Sequence, residues 1–471
     1  MTPPPVDGGR TLPIRAVVPD ADAAPESSPA TGAQLEAAQD AAAEPAAAEC
    51  PATRWQPGPP PFVDPARRAL ARAVAQYAIG RVPVRALYPD GRVVGARAAG
   101  ADVVLPVLEV LEPESFFARL AGDPKVGLGE SYTAGEWRAA PGTDLAQALE
   151  PFARDLPQLV PAPLRRVRAA AARRPSVLRG LARNTRERSR ADIEAHYDLS
   201  GDLFAAFLDP SLTYSSALFT PDELASDEPD ASDLAAAQAR KIDAVLDLAG
   251  VGPGTRLLEI GSGWGSLALA AGRRGARVVT ITLSADQHET TRRRLAAAGL
   301  ADRVSVELRD YRDVEGRYDA VVSVEMIEAV GQADWPTYLR AIERSLAPGG
   351  RAVVQSITMA HERLLATSHS RGWIQKHIFP GGLIPSIRAL RDVAAADTGL
   401  SMRVDRAFGA HYARTLRCWR GRFVEARGQV LGLGFDEAFV RAWEFYLAYC
   451  EAGFAAGYLD VHHLLLTREA T

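Results

Sequence analysis

Arg256-Leu257-Leu258-Glu259-Ile260-Gly261-Ser262-Gly263-Trp264-Gly265 decides the fold class. Its first half is an apolar run of strand length. The alternating glycines that follow allow a tight turn and a close approach of backbone to a ligand. Downstream the pattern predicts a helix to Gly272, a strand over 277–282, a helix over 286–298 and strands over 304–308, 318–324 and 351–356. A further helix over 335–346 ends at Pro348-Gly349-Gly350, and the chain from about residue 386 reads as largely helical. Strands alternating with helices imply an α/β fold with a doubly wound, mainly parallel sheet.

The glycine loop has the spacing G-x-G-x-G opened by Glu259, not the G-x-G-x-x-G of a pyrophosphate cradle. That favours S-adenosylmethionine over a nicotinamide dinucleotide. The second strand ends in Thr282-Leu283-Ser284, with Gln287 one turn on, so neutral groups stand where an acid would hold ribose hydroxyls. Asp310-Tyr311-Arg312 follows the third strand, where folds of this kind clasp an adenine. Taken singly, each of these residues also reads as a turn or a helix cap.

Outward from this core, the chain of 471 residues is 47% hydrophobic and 24% charged, ordinary values for a protein with room for about two to three domains. The 54 basic and 58 acidic residues leave a net charge of −4, which argues against a nucleic-acid binder. Cys50, Cys418 and Cys450 are too scattered for a disulfide framework or a zinc site, and a cytoplasmic setting fits them. No run reaches the roughly 18 apolar residues of a membrane-spanning helix.

Residues 1–62 are rich in Pro, Ala and acids and read as a disordered tail. A helix over 67–79 and alternating strands within 82–87, 92–96 and 103–111 suggest a small α+β domain over 63–157. Within it, Gly127-Leu128-Gly129-Glu130-Ser131-Tyr132 reads as a polar loop. A basic linker over 158–192 leads into the larger domain, 193–471. Residues 165–190 hold ten arginines against the one acid Glu187. They form either a solvated face or a patch for anionic phospholipid headgroups, where each basic residue contributes roughly 1 kcal/mol.

Several ordered motifs carry a resemblance. His196-Tyr197-Asp198-Leu199-Ser200, Phe207-Leu208-Asp209-Pro210 and Tyr214-Ser215-Ser216-Ala217 precede the glycine loop. Glu325-Met326-Ile327-Glu328-Ala329-Val330-Gly331, Trp373-Ile374-Gln375-Lys376-His377-Ile378-Phe379-Pro380-Gly381-Gly382, and Tyr412 with Thr415 and Trp419 follow it. Over about residues 125–469 the chain resembles the cyclopropane-fatty-acyl-phospholipid synthases, including the loop of their two-domain bacterial members at Gly129-Glu130-Ser131-Tyr132. The resemblance implies methyl transfer from S-adenosylmethionine to the cis double bond of an unsaturated acyl chain on a phospholipid. The cofactor would touch Tyr214, Ser215, the loop with Glu259, Gly261, Ser262, Gly263 and Gly265, then Thr282, Leu283, Gln287, Tyr311 and Arg312.

An alkene is a poor nucleophile, so catalysis has to come from alignment in a dry pocket, from aromatic faces such as Tyr412, Phe379 or Trp373 near a developing cation, and from a base. In the family the base is a bicarbonate ion. Its ligand positions fall on Glu328, Tyr412 and the backbone of Ile357, but on Ser216 in place of a cysteine and Gln355 in place of a histidine. Two changed ligands put bicarbonate and ring closure in question. A protein carboxylate, Glu136 or else Glu130, is the expected substitute, and a hydride shift before proton loss would give a methylene branch, as in relatives that work with a partner reductase. Cys450 matches a family cysteine with a suggested chemical role, although a helix cysteine is more often a small hydrophobe.

The implied partners are an unsaturated phospholipid and the anionic inner face of the cell membrane, with peripheral attachment. Two other readings stand beside this one: a methyltransferase for a soluble small molecule, and a lipid-binding protein without catalysis.

Overall fold

The computed structural model describes residues 55–96, 104–159, 161, 201–226, 231–368 and 370–468. The tail before residue 55, the arginine-rich run 165–190 and the motif His196-Tyr197-Asp198-Leu199-Ser200 lie outside the described residues.

Trp55 is buried and meets Phe439 and Trp443 edge-on at 5.3 and 6.3 Å, so packing begins ahead of the boundary expected at residue 63. An indole removes more apolar surface from water than any other side chain, which outweighs the proline-rich composition around it. Asp64 then accepts a hydrogen bond from the Ala66 N–H and caps the helix Pro65–Ile79.

The first sheet has the order β2-β1-β3-β4, with β1 at Arg85–Leu87, β2 at Val93–Gly95, β3 at Val107–Val110 and β4 at Trp137–Ala139. β1 is antiparallel to β2 and parallel to β3, and β4 is antiparallel to β3. The segment expected to be a polar loop is instead the largely buried helix Gly127–Thr133. Its glycines serve close approach. A Cβ on Gly127 would lie 2.4 Å from the Arg119 carbonyl oxygen, and one on Gly129 would lie 2.5 Å from Cδ1 of Trp373.

The second sheet is built on the strands whose apolar runs are clearest in the sequence. β5 (Arg256–Ile260), β6 (Arg277–Thr282), β7 (Val304–Leu308), β8 (Tyr318–Val324) and β9 (Leu346–Met359) are all parallel to their neighbours, in the order β7-β6-β5-β8-β9. Beyond β9 come two antiparallel strands, β11 (Leu459–Arg468) and the edge strand β10 (Leu400–Ala407). The C-terminal region is largely helical as expected, and these two strands are what the expectation left out. β10 leaves most of its side chains toward solvent, and its charges at Arg403, Asp405 and Arg406 hide the strand among helical neighbours.

The helices Gly409–Glu425 and Glu437–Ala455 lie between β10 and β11 in sequence and join the two sheets through one hydrophobic core. Phe445 carries the contact between them, with ring contacts to Tyr132 (5.4 Å), Trp137 (6.2 Å) and Trp373 (5.0 Å). Among the described residues no helix is long and apolar enough to cross a membrane.

The Gly129 contact is directly testable. Gly129→Ala pushes a methyl group into a fixed indole ring and should cost about 1–3 kcal/mol, read as a lower urea midpoint with an unchanged m-value.

Candidate active site

A cavity of about 280 Å³ lies at the carboxyl ends of the parallel strands, lined by the turns after β5, β6 and β8 and roofed by the helices Gly409–Glu425 and Glu437–Ala455. Strand order reverses between β5 and β8, the place where open α/β sheets bind ligands. Gly261, Gly263 and Gly265 all take positive φ (95°, 48° and 90°). A Cβ on Gly261 would lie 2.6 Å from Cγ of Met326, so the turns after β5 and β8 touch across the crevice. Gly261, Ser262 and Gly263 line the cavity, whereas Gly265 sits behind them, opening the helix Ser266–Arg273.

Glu259 lines the cavity and is almost fully buried, and its Oε2 has no hydrogen-bond partner. Burial pushes its carboxyl up to about 8. An orphaned buried carboxylate beside a glycine loop suits a ligand that carries positive charge, which S-adenosylmethionine does on both its sulfonium and its amino group. Thr282, Leu283, Gln287 and Tyr311 continue the wall, with the Thr282 hydroxyl donating to Gln287 Oε1 at 2.8 Å. Arg312 does not join them. It is drawn into a two-pronged pair with Asp310 (Nε to Oδ1 2.8 Å, Nη2 to Oδ2 2.6 Å) outside the lining.

On the opposite wall, the Tyr214 hydroxyl meets that of Tyr446 at 2.8 Å. Ser215 Oγ accepts a 2.6 Å hydrogen bond from Lys241 Nζ. Lys241 is 1% exposed, and burial brings its ammonium down to about 8 although the carboxylates of Glu325, Asp209 and Glu259 act against that.

Beyond the glycine loop the cavity contains two carboxylates. Glu328 Oε1 accepts from the Ile357 N–H (2.5 Å) and the Ser356 hydroxyl (2.9 Å), while Oε2 is buried without a partner. Burial and the neighbouring charge of Glu325 push its carboxyl up to about 8. Glu325, directly after β8, stands in the left-handed region at φ 51°. Its Oε1 accepts from the Ser216 N–H (3.0 Å) and from Gln355 Nε2 (2.8 Å), and its Oε2 accepts from the Tyr412 hydroxyl (2.9 Å). Burial raises Glu325 as well, against the pull of these donors and of Lys241. Gln355 is itself fixed by His463, whose Nε2 lies 3.0 Å from its Oε1.

These contacts bear on the bicarbonate ion that Ser216 and Gln355 put in question. The Ser216 N–H, Gln355 and Tyr412 are engaged by Glu325, and the Ser216 hydroxyl turns away to the Ala217 carbonyl. The donor set therefore does not fit a further small anion. Ser216 and Gln355 stand behind Glu325 and outside the cavity lining.

The carboxylates expected to replace the ion are elsewhere. Glu136 is buried against Arg119 (Nε to Oε1 2.7 Å), and Glu130 accepts from Lys376 Nζ (2.5 Å) and His377 Nε2 (3.1 Å). Neither lines the cavity. The partners of Glu130 hold its carboxyl down at about 2, which makes it a poor base. Cys450 does line the cavity, but burial pushes its thiol up to about 12, so it is no thiolate near neutral pH. Phe379 lies in the wall, and Trp373 packs behind it on Phe445.

Glu325 and Lys241 are what sequence reasoning missed. A signal for Glu325 existed: two acids three residues apart immediately after the apolar run 318–324. Lys241 offers none, being a lone lysine in an otherwise ordinary helical stretch.

Residues 184–464 match the family model described as mycolic acid cyclopropane synthetase. The chain is 47% identical to the tuberculostearic acid methyltransferase UfaA1 of Mycobacterium tuberculosis, over 86% of this chain and 92% of that protein. It is 32% identical to the cyclopropane-fatty-acyl-phospholipid synthase of Escherichia coli K12, over 77% of this chain and 87% of that one. Among solved structures it is similar to the mycolic acid cyclopropane synthase CmaA1 complexed with SAH and CTAB, with a TM-score of 0.52 and 30% identity over 59% of this chain and 97% of that one.

Two outcomes test the site. Glu136→Gln leaves the buried Arg119 with only the more distant Glu130 carboxylate (3.8 Å) as a charge partner, so it should lower stability by about 1–3 kcal/mol while the turnover of folded enzyme is unchanged in a methyl-transfer assay. Cofactor binding should tighten from pH 6.5 to pH 8.5, because below about 8 a proton must leave Glu259 before it can face a cation. Titration calorimetry should find that dependence lost, together with most of the affinity, in Glu259→Gln.

Proposed function

The chain belongs to the mycolic acid cyclopropane synthetase family, and from that premise we propose that it methylates the cis double bond of an unsaturated fatty acyl chain on a phospholipid, giving a methylene-branched product. It is a C-methyltransferase that uses S-adenosylmethionine. The observation that carries the substrate reading is the continuity of the cavity, which runs from the glycine loop to the two carboxylates along a wall of Ile357, Ile374, Phe379, Leu383, Leu416 and Phe454. An alkyl chain is the ligand that such a wall takes without leaving polar groups unsatisfied.

When bound, S-adenosylmethionine supplies an electrophilic methyl group on sulfur. The chain's own residues do the rest. Glu259 and the glycine loop hold the cationic donor, with Thr282, Gln287 and Tyr311 along the nucleoside. The apolar wall keeps water from a carbocation that water would trap. The faces of Tyr412 and Phe379 can stabilise positive charge on carbon, each within a ring cluster that fixes its orientation: Tyr412 lies tilted against Phe454 at 4.5 Å, and Phe379 lies 6.0 Å from Tyr446. Branching is favoured over ring closure by two observations, the 47% identity to a tuberculostearic acid methyltransferase and the absence of free donors for a bicarbonate ion among Ser216, Gln355 and Tyr412. Action at the cytoplasmic face of the membrane, by peripheral attachment, follows from a substrate whose double bond lies within a bilayer, and a methylene product would need a separate reductase to become a saturated methyl branch.

Incubation with methyl-labelled S-adenosylmethionine and oleoyl phospholipid vesicles should place label in the lipid, with a mass gain of one CH2 per modified chain. Catalytic hydrogenation under mild conditions should then add one H2 to the product, as a methylene does and a cyclopropane does not. Label confined to water-soluble metabolites would overturn the reading.

A further inference from the structure

Glu325, like Lys241, is a buried charged group to which the sequence assigns no role. We propose that its carboxylate is the base that removes the proton completing the reaction, in place of any dissociable anion. The inference rests on the lipid-methylation reading above.

The geometry points to Glu325 rather than to its neighbour. Three donors fix it on both oxygens: the Ser216 N–H and Gln355 on Oε1, and the Tyr412 hydroxyl on Oε2. That leaves one lone pair on Oε2, beside the Tyr412 ring that faces the cavity, able to accept a proton. The donors are a backbone amide, a carboxamide and a phenol whose own proton burial holds firmly in place, so the set favours an anion without giving up a proton to it. Lys241 adds a favourable charge to Glu325, whereas Glu328 has in its place the repulsion of Glu325 itself. Two carboxyls this close do not both ionise, and these partners assign the negative charge to Glu325 and the proton to Glu328. The backbone also commits Glu325 to the site. A left-handed non-glycine residue is uncommon, and here the peptide is pinned by the bond from Glu325 N–H to the Gln355 carbonyl (2.8 Å).

The electron count closes. The alkene π pair forms the bond to the incoming methyl carbon as the sulfur–carbon pair stays on sulfur, leaving a cation on the adjacent carbon. A hydride then moves to that carbon from the methylated one. A C–H bond of the new methyl group breaks, its pair becoming the methylene C=C bond and its proton going to Glu325 Oε2. Loss of this proton to solvent as product leaves restores the carboxylate.

Glu325→Gly is the informative variant, because glycine accepts the left-handed backbone and removes the carboxylate with its two methylenes, leaving space for a small anion. Wild-type turnover on oleoyl vesicles, in buffers freed of carbon dioxide, should equal that in buffers with added bicarbonate. Glu325→Gly should bind S-adenosylmethionine within about threefold of wild type by calorimetry yet turn over at least ~10²-fold more slowly. Sodium bicarbonate or sodium formate, small enough for the vacated space, should restore part of its rate. Glu325→Gln, which fills that space with a neutral group, should be equally slow and gain nothing from either salt. A wild-type rate that collapses without bicarbonate, or a Glu325→Gly rate near wild type in its absence, overturns the assignment of the base while the lipid reading stands. A wild-type enzyme that labels no lipid overturns both.

Discussion

The site depends on one topological constraint, the parting of β5 and β8. Both strands are parallel and hydrogen-bonded to each other, yet β5 continues to β6 on one side and β8 to β9 on the other. No connection can cover the crevice between them, so the glycine loop and the turn Glu325–Glu328 face each other across it. The contact a Cβ on Gly261 would make with Met326 measures how close they come. A cofactor seated on the first turn is therefore held next to the carboxylates of the second, by the order of the strands rather than by any single side chain.

The second constraint is charge in a dry space. Glu259, Glu325 and Asp209 act on one buried cation, Lys241, and Glu328 stands beside Glu325. Three buried glutamates cannot all be ionised without water at tolerable cost, and the carboxyls of Glu259 and Glu328 are accordingly raised to about 8. A sulfonium ligand brings the missing positive charge, so cofactor binding and proton release from the cavity are linked. A carboxylate that stays ionised beyond the glycine loop lowers the energy of a carbocation formed there.

Much of this was legible in the sequence because it is local. A buried parallel strand is a short apolar run, and β5, β6, β7 and β8 have the bounds that their runs predict. Glu259 and Thr282 stand at the carboxyl ends of β5 and β6, the glycine loop and Tyr311 come after β5 and β7, and they fall on the cavity wall as a consequence. What was not legible is set by distant partners. Glu136 looked like a candidate base until its contact with Arg119 was known, and Arg312 looked like a cofactor residue until Asp310 claimed it. The helix at Gly127–Thr133 read as a loop because its glycines answer to Arg119 and Trp373, which sequence distance conceals. β10 and β11 escaped because an edge strand in solvent and its partner lack the clean apolar run.

Ser216, Gln355 and Glu325 make physical sense only together. Their positions come from three separate segments, before β5, within β9 and after β8, yet they meet at one carboxylate. A side chain at 325 needs a left-handed backbone that would normally select glycine, and the resulting strain is held by the strand pairing that fixes Gln355 beside it. Given a carboxylate there, the flanking groups have to donate without ionising. An amide and a backbone N–H do so at every pH, whereas an ionisable thiol at 216 would add a competing negative charge and an imidazole at 355 would exchange protons with the base. His463 is consistent with this arrangement: it touches only the far side of Gln355, and burial together with nearby cations holds it neutral, at about 3. The two departures from the family's ligand pattern are thus the surroundings that a built-in carboxylate requires.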